Sequence, residues 1–451
     1  MNALTDIIRA EIQRSGPIPF ARFMELALYH PEHGYYETPR PIGRRGDFYT
    51  SVSVGPVFGE LLAFHFAEIL AALPHPTLQL AEAGAHDGRL ALDILSHLQQ
   101  HRPELLPRLQ YWILEPSPRR TDTQRATLHA FAEHLRWFAD WTQLPHPVTG
   151  IIFSNELLDA FPVHRLGWNA AQKQWFEWCV TCDPKHFQWT RTALASNLDP
   201  TACLYAMERG LQSASPLPPH THANPPEQVP PPSAFPLPST GRGTKGEGWS
   251  NPNAPTSPSA GTASPSPWGE GRGEGDRDAA NPCAQNATPT TSQIEIQKLL
   301  SLLPDDFTTE ISPAAVAWWQ SAARALRNGC LLAVDYGLTA EQFFTPGRAH
   351  GTLRGYYRHH HADDLLARPG EQDLTAHVNF TALQQAGEAV GLTSDDPLQS
   401  QAKFLTTIFE ATMRQPEQFP PWTSERLRQF QTLINPEHLG RAFSFLVQRT
   451  R

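Results

Sequence analysis

The chain has 451 residues, enough to bury a full core and to build two or three domains. A net charge of -9, from 36 basic and 45 acidic residues with no basic tail, argues against nucleic acid as a partner. Cysteines at 179, 182, 203, 283 and 330 are odd in number and scattered, which excludes a disulfide framework and suits a reducing compartment, and no apolar run approaches the roughly 18 residues of a membrane span.

The N-terminus, MNALTDIIRAEIQRSG, lacks the apolar core of a secretion signal and the Arg/Ser-rich, acid-poor character of a transit peptide, which predicts a soluble cytoplasmic protein. Residues 3–14 and 19–28 predict short helices joined at SGPIP. In PIGRRGDFYTS (41–51), two glycines bracket Arg44 and Arg45, and Asp47 stands beside Phe48; the stretch is either a lid over a ligand or a pair of solvated arginines. From Val54 a helix carries apolar residues at 57, 58, 61, 62, 66, 69, 70 and 73, one buried stripe with His65 at its border.

After Pro76, short apolar strands alternate with helices, the pattern of an α/β domain with a mostly parallel sheet. The strand LQLAEAG runs through Glu82 into Gly84, crosses a short loop to Gly88, and becomes a helix that can bury Ala91, Ile94, Leu95 and Leu98. LQYWILEPS (109–117), TGIIFSNE (149–156) and NGCLLAVDYG (328–337) predict three further strands. Before the last, SPAAVAWWQSAARALRNG predicts a helix with Ser312 as N-cap, Pro313 at its first position and Gly329 just past its end. KQWFEWCVTCDPKHFQWT reads as an auxiliary hairpin turning at DPKH. Residues 213–292 hold 17 of the 43 prolines and almost no aliphatic clusters. Such a stretch cannot bury enough apolar surface to offset its chain entropy and predicts a disordered surface insertion.

Four segments carry candidate chemistry. A strand, a tight loop and a helix N-terminus make a ligand cradle, and Glu115, closing the next strand, can accept hydrogen bonds from ribose hydroxyls. Glu82, Asp87 and Glu115 would repel a pyrophosphate, which disfavours a nicotinamide dehydrogenase and suits S-adenosylmethionine, a cofactor with a ribose, positive charge and no phosphate. In SNELLDAFPVHRL (154–166), Asn155, Glu156 and Asp159 follow a parallel strand and face the ligand crevice, where a carboxylate can hold a guanidinium bidentately; the alternative is that Asn155 caps a helix and Asp159 is its first-turn acid. PIGRRGDFYTS is the third. In PGEQDLTAHVNF (369–380), Asp373 and His377 are spaced to meet on a helix face as acid and base, or the acid only caps the helix. Cys179 and Cys182 form a lone CxxC and RHHH (358–361) a surface histidine run, so no metal site is expected.

Together GPIPFARFMELALYHPEHGYYE, GRRGDFYTS, FGELLA, EAGAHDGRLALDIL, LEPSP, SNELLDAFPVHRL, LLAVDYG, GTLRGYYRHH, PGEQDLTAHVNF and QAKFL, in this order, resemble the MidA-like family of S-adenosylmethionine-dependent methyltransferases. The resemblance covers nearly all the chain outside 213–292. It implies a class I methyltransferase Rossmann-like sheet over 76–166 and 293–451, a helical N-terminal cap over 1–75 and the hairpin region over 167–212. It further implies a cofactor site of Asp47, Phe48, Thr50, Glu82, Gly84, Gly88 and Glu115, and Asn155, Glu156 and Asp159 facing the transferred methyl. The implied substrate is a protein arginine, in a family that includes an arginine methyltransferase of a respiratory complex I subunit. The competing expectation is a non-catalytic assembly protein that keeps the fold. One departure stands out: the family loop reads E-x-G-x-G-x-G, and His86 replaces the middle glycine. A left-handed backbone there costs a non-glycine residue about 1–2 kcal/mol.

Overall fold

The computed structural model describes residues 2–38, 50–201, 296, 298–358 and 360–451. The expectations for Asp47, Phe48 and the 213–292 insertion lie outside the described residues. Helix α1 (Ala3–Ser15) starts where the Asn2 side chain accepts the Thr5 amide, and it buries Leu4, Ile8 and Ile12 at helical spacing. The short strand β1 (Ile18–Pro19) leads into α2 (Phe20–Tyr29). The helix expected from Val54 starts at Val57 as α4 (Val57–Ala72), and Val54 instead ends the short α3 (Ser51–Val54), because Gly55 has φ +145° and Pro56 follows it.

The central sheet begins with β2 (Leu78–Ala83), whose six residues are all buried, as a strand covered on both faces must be. After it come α5 (Arg89–His101), β3 (Leu109–Leu114), α6 (Pro118–Thr127), β4 (Leu135–Phe138) and β5 (Val148–Asn155). Beyond the auxiliary strands β6 (His164–Asn169), β7 (Gln174–Cys182), β8 (Phe187–Ala193) and β9 (Thr308–Ile311) lies β10 (Leu326–Leu338). The last strands are β11 (Arg354–Tyr357), β12 (His360–His361), β13 (Asp373–Thr375), β14 (Val378–Asn379), β15 (Gln399–Ser400) and β16 (Phe443–Arg449). The main sheet runs β15-β16-β10-β5-β2-β3-β4, with β14 beside β10. Strands β10, β5, β2, β3 and β4 are parallel, and β16 is antiparallel to β10. Chain order reverses between β2 and β5, so their carboxyl ends open a crevice suited to a ligand.

Side chains alternate across the sheet. Leu80, Tyr111, Ile113, Ile151 and Phe153 pack towards α4, α5 and the helix Gln401–Arg414. Ala81, Trp112, Leu114 and Ile152 pack towards the helices Pro313–Ala325 and Phe380–Glu388. The expected helix before β10 has its Ser312 cap and Pro313 start, but it ends at Ala325 and not near Gly329. Leu326 already pairs with Val148, and Gly329 (φ +131°) lies so close to β5 that a Cβ would sit 1.8 Å from the Gly150 carbonyl oxygen.

The predicted hairpin is present as β7 and β8, its turn held by Asp183 Oδ1 accepting the Lys185 and His186 amides at 2.6 and 2.7 Å. It belongs to a second, five-stranded sheet with β1, β6 and β9, and it packs on α2 through Phe20–Trp189 and Phe23–Phe187 ring contacts. Cys179 and Cys182, three apart on β7, point to opposite faces. A third sheet, β12-β11-β13, includes exposed His360 and His361. The helix-face pairing of Asp373 and His377 does not form: Asp373 lies in β13, His377 follows it in a loop, and the helix starts only at Phe380, capped by Asn379.

Candidate active site

A cleft of about 1850 Å³ opens at the carboxyl ends of β2, β3, β5 and β10. On one side is the loop after β2. Glu82 is buried there, takes a 2.6 Å hydrogen bond from the Tyr111 hydroxyl, and is pushed up to about 7 by burial. Gly84 and Gly88 have φ of +73° and +81°. The middle position is also left-handed, with exposed His86 at φ +51°; the loop keeps the glycine geometry and carries its strain. Gln124 stabilises it by donating from Nε2 to the His86 carbonyl at 3.1 Å. Asp87 Oδ1 accepts the Arg89 amide at 3.1 Å, which puts a carboxylate at the start of α5 where a phosphate would need to sit.

Glu115 is buried at the end of β3. Its Oε1 accepts from the Ser117 amide and Arg120 Nε at 2.9 Å each, and its Oε2 from Gln124 Nε2 at 3.0 Å. A carboxylate has about four acceptor positions, so Oε2 keeps one for a further hydroxyl. The N-terminal region closes over this point. Glu37 takes a 2.7 Å bond from the Ser117 hydroxyl and lies 3.4 Å from Arg120 Nη1.

On the other side, β5 ends in the second acidic segment. Asn155 and Glu156 are half-buried and Asp159 is buried. Asn155 caps no helix. Its Nδ2 donates to Glu156 Oε1 at 3.2 Å, and its buried Oδ1 has no partner among the described residues. The short 3-10 turn Leu158–Ala160 is capped instead by Asp335 of β10, whose Oδ2 accepts the amides of Leu157, Leu158 and Asp159 at 3.1, 2.8 and 3.4 Å. Glu156 takes φ +51°, and its amide donates to the Val334 carbonyl at 2.9 Å. Burial, then the neighbouring Asp159, pushes Glu156 up to about 8; burial pushes Asp159 up to about 7 and Asp335 well above the ordinary carboxylate range.

The N-terminal motif reaches this turn as well. Thr50 lines the cleft and caps α3 in a reciprocal pair with Ser53, and the Ser51 amide donates to Glu156 Oε1 at 3.3 Å. The Tyr29 hydroxyl donates to the Ala160 carbonyl and the Tyr36 hydroxyl to Asp373 Oδ1, each at 2.9 Å. Glu82, Gly84, Glu115, Thr50, Asn155, Glu156 and Asp159 thus meet around one crevice, whereas Gly88 starts α5 behind it and faces Leu128 and Gln124. Asp335, Arg120, Ser51 and Tyr36 are the participants that sequence reading missed. Asp335 had a usable signal, its place at the carboxyl end of a parallel strand. The other three are recruited by contacts with residues far away in the chain.

Residues 61–398 match the family described as "Putative S-adenosyl-L-methionine-dependent methyltransferase". The chain belongs to this family. It is 23% identical, over 98% of its length and 84% of the relative's, to "Protein arginine methyltransferase NDUFAF7, mitochondrial" of Mus musculus. It is 29% identical to the Drosophila melanogaster homologue over 36% of this chain and 42% of that one. The Homo sapiens protein is 28% identical over 44% and 50%. A Burkholderia thailandensis protein solved with S-adenosyl-homocysteine bound has the same fold, with TM-score 0.66, 24% identity and coverage of 99% of this chain and 92% of that one. A native structure from the same organism gives TM-score 0.65 and 25% identity over 100% and 91%.

The expected class I methyltransferase sheet is therefore the fold observed, and S-adenosyl-L-methionine is the methyl donor of this methyltransferase family. The cytoplasmic expectation is overturned, because the mouse, fly and human relatives are mitochondrial proteins. Charge balance and cysteine spacing report on solubility and redox state, which do not separate one reducing compartment from another. The loop fits the donor: Gly84, left-handed and on the cleft wall, admits close approach, Glu115 has an acceptor left for a ribose hydroxyl, and acids replace phosphate-binding groups.

Proposed function

We propose that this methyltransferase acts on a guanidinium nitrogen of an arginine in a protein substrate. The observation that carries the reading is the convergence of Glu156, Asp159 and Asp335 beneath the cleft, none of them in an ion pair with a lysine or arginine among the described residues. Carboxyls that burial holds protonated ionise readily only beside a cation, and a planar guanidinium is the cation that a carboxylate grips through two parallel hydrogen bonds. The names of the mouse, fly and human relatives support the same choice. The family resemblance adds a respiratory-complex subunit as the proposed class of target.

In this reading Gly84 admits the donor to the backbone, Gly88 starts the helix that follows, Glu115 accepts a ribose hydroxyl, and Glu82 and Thr50 wall the site. Bound S-adenosyl-L-methionine supplies an electrophilic methyl on a sulfonium. Entry of the guanidinium favours the ionised forms of Glu156 and Asp159, whose protons leave. Glu156 then accepts two guanidinium N–H bonds and Asn155 Oδ1 a third, which orients the attacking nitrogen towards the methyl and secures the alignment that such displacements depend on. The proton lost by the methylated nitrogen passes to a Glu156 or Asp159 carboxylate oxygen.

Glu156→Gln keeps the shape and removes the charge. It should lower arginine methylation, read by mass spectrometry of a protein substrate, by about 100-fold or more, while affinity for S-adenosyl-homocysteine stays within about twofold. Unchanged turnover would remove Glu156 from this role.

A further inference from the structure

Beyond the acidic turn the same cleft becomes basic. Arg348 and Arg354 line it and are half-buried. Neither has a carboxylate within ion-pair distance among the described residues; the nearest fixed bond of Arg354 is from Nη1 to the Leu353 carbonyl, at 2.9 Å. His377 lines the cleft beside them. Its amide is held by the Thr352 hydroxyl at 3.2 Å, and its buried Nδ1 has no partner. Burial, followed by the two arginines, lowers this imidazole to about 4, so near neutral pH it has one N–H to give. The acids close by face other groups, although Glu310 Oε1 has no hydrogen bond. Glu310 Oε2 takes the Thr352 amide and hydroxyl at 2.7 and 3.0 Å and the carboxylate faces Arg165, while Asp373 accepts from Tyr36.

This basic compartment is fixed relative to the acidic turn by backbone pairing. Arg354 stands opposite Thr375 across the β11–β13 pair, and the next residue, Ala376, donates its amide to the Asp159 carbonyl at 2.9 Å. One strand spacing plus one hydrogen bond puts the Arg354 backbone on the order of 10 Å from the turn, about three residues of extended chain, and Arg348 lines the same cleft.

We propose that Arg348, Arg354 and His377 form a carboxylate-binding subsite for an Asp or Glu of the substrate polypeptide about three residues from its target arginine. The inference rests on the arginine reading for the identity of the neighbouring group. An arginine enters the acid pocket while an acid enters the basic one, so a peptide of mixed charge is accepted and one carrying only positive charge is refused.

The test is fluorescence anisotropy, in the presence of S-adenosyl-homocysteine, of two labelled eleven-residue peptides. Each has a central arginine, with Glu at both -3 and +3 in one and Gln in the other. The Glu peptide should bind about tenfold more tightly. The double variant Arg348→Gln/Arg354→Gln should lose that preference, and Arg348→Lys/Arg354→Lys should keep part of it. Undiminished S-adenosyl-homocysteine affinity reports that the variants are folded. Equal binding of the two peptides by the wild type, or a preference that survives in the Gln variant, overturns the subsite. Methylation with S-adenosyl-L-methionine is read separately: a Glu preference with no methylated arginine sinks the arginine reading and leaves the subsite standing. Methylation of both peptides with equal KM does the reverse.

Discussion

The two turns that face each other across the cleft share one backbone anomaly and handle it differently. The β2 loop holds exposed His86 and the β5 turn holds half-buried Glu156, both at φ +51°. His86 is steadied by a side-chain bond from Gln124 to its carbonyl and by Asp87 Oδ1 at 3.7 Å from its ring. Glu156 is followed by three amides bound to one Asp335 oxygen. The difference follows from what each turn must present. An exposed loop tolerates a loosely held residue at its rim, whereas a turn that concentrates buried charge must be fixed by groups that give it no freedom.

The largest expected break in that comparison is Asp335→Ala. It strands three backbone amides beneath the acidic turn, and the urea midpoint should fall by the equivalent of about 3 kcal/mol. Asp335→Asn keeps an acceptor there and should cost clearly less; equal losses would mean that capping is not its role. Next is Gly84→Ala, where the two turns touch. The new Cβ would lie 2.8 Å from Leu157 Cδ1 at a φ of +73°, costing about 1–3 kcal/mol, and calorimetry should show S-adenosyl-homocysteine binding roughly tenfold weaker.

Smaller, and opposite in sign, is the effect of Glu156→Gln on stability. The folded Glu156 is raised to about 8 from an ordinary 4.5. Between those values the unfolded chain gives up the proton more readily, so the residue costs stability increasingly as pH rises through that window, and fully above it. Thermal melts should show the variant more stable than wild type by about 1–2 kcal/mol at alkaline pH, with the two converging in acid. A constant difference across pH would contradict the burial of that charge. The smallest effect belongs to His86→Gly. It relieves a left-handed side chain but adds freedom to the unfolded chain, so stability should move by about 1 kcal/mol or less and cofactor affinity by less than about threefold. A tenfold loss of affinity would instead make the imidazole a ligand group.

The segments legible from sequence are those whose signal is local. Glu82, Gly84 and Glu115 sit where apolar strands stop, Gly88 sits where a helix starts, and the strand that ends at Asn155 announced the acidic turn. Misreadings came where pairing overrode local pattern. PGEQDLTAHVNF has helical spacing, yet Asp373–Thr375 pairs with Arg354–Tyr356 as a strand. Gly329 looks like a helix stop and is instead a point of contact between two strands. The hairpin read as auxiliary helps build a sheet with strands from both sides of the 213–292 stretch and from the N-terminal region.

By itself the sequence determined the alternating α/β order, the glycine-bearing loop after β2 and the presence of acids after β5, because hydrophobic period and strand-end residues act over a few neighbours. Only the tertiary structure decided that Asp335 holds the acidic turn, that Ser51 and Tyr29 reach it from the N-terminal region, and that Arg354 and His377 stand beside it. Those contacts join residues separated by more than a hundred positions or by strand register. Both are set by the packing of the whole sheet and leave no periodic mark on the chain.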